Sequence, residues 1–97
     1  MYVILTNKPG QFRTEIGEDL QPVEAYDYVF CGRTRAHYVI ANLTRDVKIT
    51  IVDESFPPVV NHVPSKFLAK FETVEAARRE LKSLTRFGGM DISLVKR

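Results

Sequence analysis

The stretch EAYDYVFCGRTRAHYVIANLTRDVKITIVDE, residues 24–54, decides the fold of this chain. It contains three runs rich in aromatic and β-branched residues, a composition typical of β-strands: 25–31, 36–43 and 47–52. Residues 32–35 and 44–46 separate these runs, and connections this short join antiparallel neighbours. The stretch therefore predicts a three-stranded antiparallel meander.

The side chains of these runs indicate how the meander is covered. Successive side chains of a strand point to opposite faces. In the first two runs both faces are apolar, and one of them carries Tyr26, Tyr28 and Phe30. We expect either a sheet that curls on itself or a face that docks on another molecule.

The residues before the meander predict a first hairpin. Residues 2–6 have the composition of a strand. Pro9 sets φ at the second position of a turn, and Gly10 accepts the positive φ that a type II turn needs at the third. Residues 12–16 return as a short second strand, and residues 17–23 form a loop.

The residues after the meander predict a loop and a short helix. Residues 53–64 are expected to be irregular, because Pro57 and Pro58 cannot donate ladder hydrogen bonds. Residues 65–71 are ambiguous between strand and helix. Their Leu, Ala and Lys content favours a short helix.

A better marked helix is predicted over 73–85. Thr73 suits the N-cap position, whose side chain accepts a backbone hydrogen bond from the first turn. An apolar stripe at helical spacing would face the sheet: Val74, Ala77, Leu81 and Leu84. Gly88-Gly89 is expected to end the helix, and residues 90–95 leave room for a last strand.

Together these elements predict one compact α+β domain over residues 1–97. A mostly antiparallel, curled sheet of five or six strands carries the principal helix, 73–85, on one face, with the short helix 65–71 before it. The alternative is a small open barrel capped by the principal helix. A chain of 97 residues suits a single core.

The composition limits the cellular compartment in which we expect this protein. Cys31 is the only cysteine, so no intramolecular disulfide can form and a secreted disulfide framework is excluded. The first residues lack the basic segment and long apolar run of a signal peptide, and no apolar stretch approaches the ~20 residues of a membrane-spanning helix. We expect a cytoplasmic protein without a membrane partner.

Cys31 and His37 are the first candidates for catalysis, because a thiolate activated by an imidazole is an effective nucleophile. With Arg33-Thr34 as the two loop residues of the hairpin, Cys31 pairs with Ala36. Phe30 then pairs with His37, so the thiol and the imidazole project from opposite faces. Only a three-residue loop would bring them together, and we expect no catalytic pair.

The sequence also predicts no metal site, no cofactor and no catalytic residue. The side chains that could ligate a metal lack metal-site spacing: His37, His62, Asp53 and Glu54. The glycines are too few and wrongly spaced for a phosphate-binding loop. Asp53 and Glu54 end a strand, where catalytic carboxylates often lie, but adjacent side chains of a strand diverge.

The leading functional hypothesis is a small, non-enzymatic accessory or adaptor protein that binds another protein or a second copy of itself. Its basis is an excess of apolar strand and loop surface, because large exposed apolar patches mark interfaces. We expect an apolar sheet face and the proline-containing loop to form the interface, through Tyr26, Tyr28, Phe56 and Val59.

Two alternatives remain open. A single-strand nucleic-acid-binding module would stack bases on the aromatic face and hold phosphates with cations: Arg33, Arg35, Arg78, Arg79, Lys82 and Arg86. The formal net charge of +2 is too small to indicate a polyanion partner by itself. A small enzyme or ligand-binding domain would instead use Asp53, Glu54 or His37 within the curl of the sheet.

Overall fold

The computed structural model describes residues 1–85 and 92–97. These residues form seven β-strands, one 3₁₀ turn and one α-helix. In chain order the elements are β1 (Tyr2–Asn7), β2 (Phe12–Thr14), β3 (Leu20–Phe30), β4 (Arg33–Leu43), β5 (Lys48–Asp53), β6 (Val59–Pro64), the 3₁₀ turn (Ser65–Phe67), α1 (Val74–Thr85) and β7 (Ile92–Lys96). The α+β prediction is confirmed, with seven strands where five or six were expected.

The strands form two antiparallel sheets. The central sheet has the order β1-β4-β3-β7, and the second sheet has the order β2-β5-β6. The turn between β1 and β2 leads the chain from one sheet to the other. In that turn Gly10 has a φ of 80°, as predicted for a type II turn. The sheets do not close on each other, so the open-barrel alternative is wrong.

The β3–β4 hairpin turns two residues earlier than the sequence predicts. Cys31 and Gly32 have φ values of 52° and 77°, and Phe30 pairs with Arg33. Two central residues with positive φ are typical of a type I′ hairpin turn. The prediction with Arg33-Thr34 in the loop is wrong, because Cys31 adopts a left-handed conformation that few residues other than glycine take.

Both faces of the central sheet are covered by the same chain. One face packs on the second sheet around a buried apolar cluster: Val3, Leu5, Leu20, Ala41, Leu43 and Ile49. On the other face α1 contacts β1 and β4, and its Ala77 and Leu81 are fully buried. The same chain therefore contributes cover to both faces of the two-sided apolar hairpin, whose residues 24–30 are half-buried.

The helix α1 begins as the sequence predicts. Thr73 Oγ1 accepts the Ala76 N–H at 3.0 Å, which is the hydrogen bond of an N-cap residue. The stripe at Ala77 and Leu81 is buried, but its last member, Leu84, is exposed. The buried face of the helix is therefore shorter than the predicted stripe.

The segment between α1 and β7 lies outside the described residues. It includes Gly88-Gly89, which the sequence predicts to end the helix. The last strand, expected over 90–95, is present as β7, Ile92–Lys96, and pairs antiparallel with β3.

The segment 53–64 is not irregular throughout, because its second half forms β6 and pairs with β5. Pro57 and Pro58 precede β6 and Pro64 is its last residue, so no proline interrupts the strand. β3 likewise begins at Leu20, inside the segment predicted as a loop. The predicted helix over 65–71 is only a 3₁₀ turn.

A buried carboxylate joins α1 and β7 to the central sheet. The Glu24 side chain on β3 is 6% exposed, and its two oxygens accept hydrogen bonds from Nε and Nη2 of Arg78 on α1, both at 2.6 Å. Lys96 Nζ on β7 lies 2.9 Å from the same carboxylate, and the Tyr26 hydroxyl donates to it at 2.9 Å. We call these four residues the Glu24 cluster.

The Glu24 cluster is electrostatically matched. Hydrogen bonds from Arg78 and Lys96 hold the pKa of Glu24 well below its usual range, although burial alone would raise it. The carboxylate in turn raises the pKa of Arg78. Burial and the bond to Glu24 raise the pKa of Tyr26, so its hydroxyl keeps the proton that it donates. A buried charge needs such partners, because losing them leaves it desolvated and unpaired.

Glu24→Gln removes the charge and keeps the size of the side chain. We expect it to lower the free energy of unfolding at pH 7 by about 2–3 kcal/mol, because Arg78 and Lys96 lose the counter-charge that the nearly buried carboxylate supplies. The pKa of Glu24 is lower in the folded than in the unfolded protein. The charge therefore stabilises the fold above about pH 4.3, and its contribution is lost as the pH falls below that value.

Urea unfolding of both proteins at pH 7 and at steps down to pH 3 measures this contribution. The difference between wild type and variant should shrink on acidification, and a difference that stays constant would contradict the prediction. Glu75→Gln is the matched control. The Glu75 carboxylate also lies near Arg78, with 3.9 Å between Oε1 and Nη1, but its side chain is exposed on α1. We expect that control to change stability by less than about 0.5 kcal/mol.

Candidate functional site

The β5–β6 hairpin ends in residues 54–58, which we call the tip. Phe56 in the tip is 100% exposed. Val59 and Val60, the first residues of β6, are 49% and 54% exposed. Three apolar side chains at one end of one hairpin are therefore open to solvent, and two of them, Phe56 and Val59, are residues that the sequence predicts for an interface.

Polar contacts hold the base of the tip. The Asp53 carboxylate accepts the Ser55 N–H at 2.9 Å, a short-range bond typical of Asp in turns. The Glu54 N–H donates to the Gln11 carbonyl at 2.8 Å, and its carboxylate accepts the Gly10 N–H at 3.3 Å. The tip is thus anchored to the β1–β2 turn, while its apolar side chains remain outside these contacts.

The strand β6 has a single neighbour, β5, within the described part of the chain. Antiparallel neighbours alternate hydrogen-bonded and non-hydrogen-bonded pairs, and the Ser65 N–H donates to the Val47 carbonyl at 2.7 Å just beyond the strand. Odd-numbered residues of β6 therefore bond to β5. The even-numbered residues, Val60, His62 and Pro64, direct their backbone to the open edge. Since Pro64 has no N–H, this edge offers only two donors for strand addition.

Tyr26 and Tyr28, the other two predicted interface residues, are half-buried. They lie on the same face of β3 as Glu24, which is the face that α1 covers through Arg78. The hydroxyl of Tyr26 belongs to the Glu24 cluster. The ring of Tyr28 packs edge-on against Tyr38, with centroids 6.3 Å apart. Both side chains thus already contact their own protein.

The cations proposed for nucleic-acid binding are divided between two elements. Arg33 and Arg35 are exposed on β4, and Arg79 and Lys82 are exposed on α1. Arg78 is held by Glu24. Arg86 lies outside the described residues.

His37 pairs with an acid that the sequence did not single out. Its Nδ1 lies 2.6 Å from Asp27 Oδ1, and Arg97 Nε donates to the same oxygen at 2.7 Å. The hydrogen bonds from His37 and Arg97 lower the pKa of Asp27. The predicted register pairs Phe30 with His37 and therefore does not place Asp27 beside it. The observed turn at Cys31 and the bulge beyond it together place Asp27 opposite His37.

The other residues considered for catalysis are not assembled. Cys31 is exposed in the hairpin turn. Asp53 and Glu54 are exposed at the base of the tip, with the backbone contacts already described, whereas His37 pairs with Asp27 on another sheet. Across residues 1–85 and 92–97, no three His, Cys, Asp or Glu side chains come together as a metal site.

Within the described part of the chain, no helix has the length and apolar character that crossing a lipid bilayer would need. Comparisons of the chain with protein-family models, with curated proteins and with solved structures gave no match.

Phe56→Ser tests whether the aromatic ring has a role in folding. We expect the free energy of unfolding to change by less than about 0.5 kcal/mol, because a fully exposed side chain contributes little to the folded state. Leu81→Ala, at a fully buried position of α1, should cost about 2–5 kcal/mol in the same urea assay. A loss of more than about 1 kcal/mol for Phe56→Ser would mean that the ring packs on its own chain in solution.

Proposed function

We propose that this chain is a non-enzymatic accessory or adaptor protein that inserts the tip of its β5–β6 hairpin into an apolar cleft of a different protein. The complete exposure of Phe56 carries the proposal. An aromatic side chain removes about 150–250 Å² from water when it is buried, and at about 25 cal/mol per Å² this is enough for one side chain to dominate an interface. Val59 and Val60 add exposed apolar surface on the two opposite faces of β6, next to the tip.

Because Phe56 is fully exposed, a partner would have to supply a concave pocket to bury its ring. Interfaces often depend on one aromatic anchor in a desolvated pocket, surrounded by contacts that exclude water. Phe56 fits the role of the anchor, and the exposed valine on the face of β6 that meets the cleft fits the role of a surrounding contact.

The charges beside the tip indicate the chemistry of the partner. Asp53 and Glu54 are both exposed at its base. Their carboxylates give this end of the hairpin a negative rim, which favours a cleft with a basic rim. Such complementarity mainly accelerates association and selects the partner.

Two features argue against a second copy of the chain as the partner. A symmetric tip-to-tip contact would bring the Asp53 and Glu54 carboxylates of both copies together, and like charges in an interface are unfavourable. Pairing of two β6 edges would use an edge that offers only the Val60 and His62 N–H groups. Natural proteins use proline on an open edge to discourage such pairing.

The test compares the proteins that wild type and two variants retain from a lysate of the source cells. Wild type, Phe56→Ser and the control Val23→Ser are immobilised and the retained proteins are quantified. Val23 is a suitable control because it is 48% exposed on β3 rather than on the hairpin. A partner retained by wild type and by the control is then purified. We expect Phe56→Ser to weaken its binding at least about 30-fold, as loss of an interface hot spot does.

Equal affinity of the purified partner for wild type and Phe56→Ser would refute the proposal. A Phe56-dependent dimer in sedimentation equilibrium would refute it as well, in favour of self-association. With the purified partner, Glu54→Lys should lower the association rate more than it raises the dissociation rate, because rim charges act mainly on encounter.

A further inference from the structure

A hollow of about 310 Å³ lies between the β1–β2 turn, β4 and the end of α1. Its lining includes two cations, two phenol rings and an amide: Lys8, Arg35, Tyr28, Tyr38 and Gln11. We call it the basic hollow. Its volume is at the lower end of the range of small-molecule sites, which is about 300–1,000 Å³.

The charge of the basic hollow is unbalanced. No acidic residue is among its described lining residues. Within residues 1–85 and 92–97, neither Lys8 nor Arg35 forms an ion pair. An arginine and a lysine that line one hollow, with no acid among its described lining residues, favour an anionic ligand, and the arginine fork suits a carboxylate or a phosphate.

A β-bulge directs the arginine. Val29 pairs with Thr34 and Tyr28 pairs with Ala36, so Arg35 is an extra residue in β4. Bulges re-aim side chains and are frequent beside binding sites. The guanidinium also lies 6.0 Å from the centroid of Phe30, a cation–π distance that restrains it.

The two tyrosines supply an aromatic wall with hydroxyl groups. Their rings are nearly perpendicular, at 85°, which fixes each ring against the other. Neither hydroxyl has a hydrogen-bond partner among the described residues, in contrast to that of Tyr26. Burial raises the pKa of Tyr38, so its hydroxyl is protonated at neutral pH and can donate to an anion.

We propose that the basic hollow binds a small anion that carries one planar ring, with Arg35 and Lys8 on the anionic group and Tyr28 and Tyr38 against the ring. The anionic group is a carboxylate or a phosphate, which the same cations recognise. This inference does not rest on the proposed adaptor function, because none of the residues that line the hollow belongs to the tip.

Titration of the intact protein tests the site. The chain has four tyrosines and no tryptophan, so its intrinsic fluorescence reports on tyrosine alone. Benzoate and adenosine 5′-monophosphate serve as ring-bearing probes with the two anionic groups, inorganic phosphate as an anion without a ring, and benzamide as a neutral ring. Two-dimensional ¹H–¹⁵N NMR spectra follow the amides of Lys8, Ala36 and Tyr38.

We expect saturable binding of at least one ring-bearing anion, with amide shifts confined to the basic hollow. Arg35→Gln should weaken it about tenfold or more, because the forked charge-assisted bonds are lost. Arg33→Gln is the matched control, since Arg33 lies two residues away on the same strand and outside the lining. Lys8→Gln supplies a second, independent test.

Three results would overturn the proposal. One is the absence of saturable binding by both ring-bearing anions. Another is inorganic phosphate or benzamide binding as tightly as the ring-bearing anions, since only one half of the recognition would then be present. A third is evidence that the anion binds to a diffuse basic surface. Either equal weakening by Arg33→Gln and Arg35→Gln, or much tighter binding of a single-stranded oligonucleotide with shifts spread to Arg79 and Lys82, would be such evidence.

Discussion

The structure depends on the Glu24 carboxylate, which joins three elements that are distant in the chain. Arg78 of α1 and Lys96 of β7 both reach this one acidic group on β3, and Tyr26 completes its hydrogen bonds. A nearly buried charge is costly without partners. The Glu24 carboxylate therefore favours the position of α1 in which Arg78 reaches it. That position covers the tyrosine-bearing face of the central sheet, while the second sheet covers the opposite face.

The second sheet and α1 pack on the two faces of the central sheet, so the most exposed apolar surface of this chain lies elsewhere than the sequence suggests. The sequence suggests that the excess includes the strand surface around Tyr26 and Tyr28, but those side chains are half-buried within the fold. What remains fully outside is the ring of Phe56, on a hairpin whose base is acidic. The exposed Lys8 and Arg35 both line the basic hollow. The two surfaces thus differ in shape and in charge, which suits two different binding roles.

Local chemistry made much of the fold predictable. The strand composition of 24–54, the positive φ of Gly10 and the N-cap of Thr73 each depend on near neighbours, and each prediction is confirmed. The sequence does not predict β6 because Pro57 and Pro58 argue against a strand. Both residues precede β6, and Pro64 lies at the end of this edge strand and costs no bond to β5. In the candidate site, Phe56 and Val59 are exposed, and their role in an interface stays a prediction. Asp27 beside His37 and Arg35 beside Tyr38 depend on a bulge that sequence periodicity does not reveal.

The most direct test of the Glu24 cluster is an NMR titration of the Glu24 side-chain carboxyl carbon, from pH 7 down to the onset of acid unfolding. We expect no titration step in the folded protein, because Arg78 and Lys96 keep the carboxylate ionised. A step near about pH 4.3, the value of an unperturbed glutamate, would contradict a buried and paired Glu24 and with it the closure of the tyrosine face.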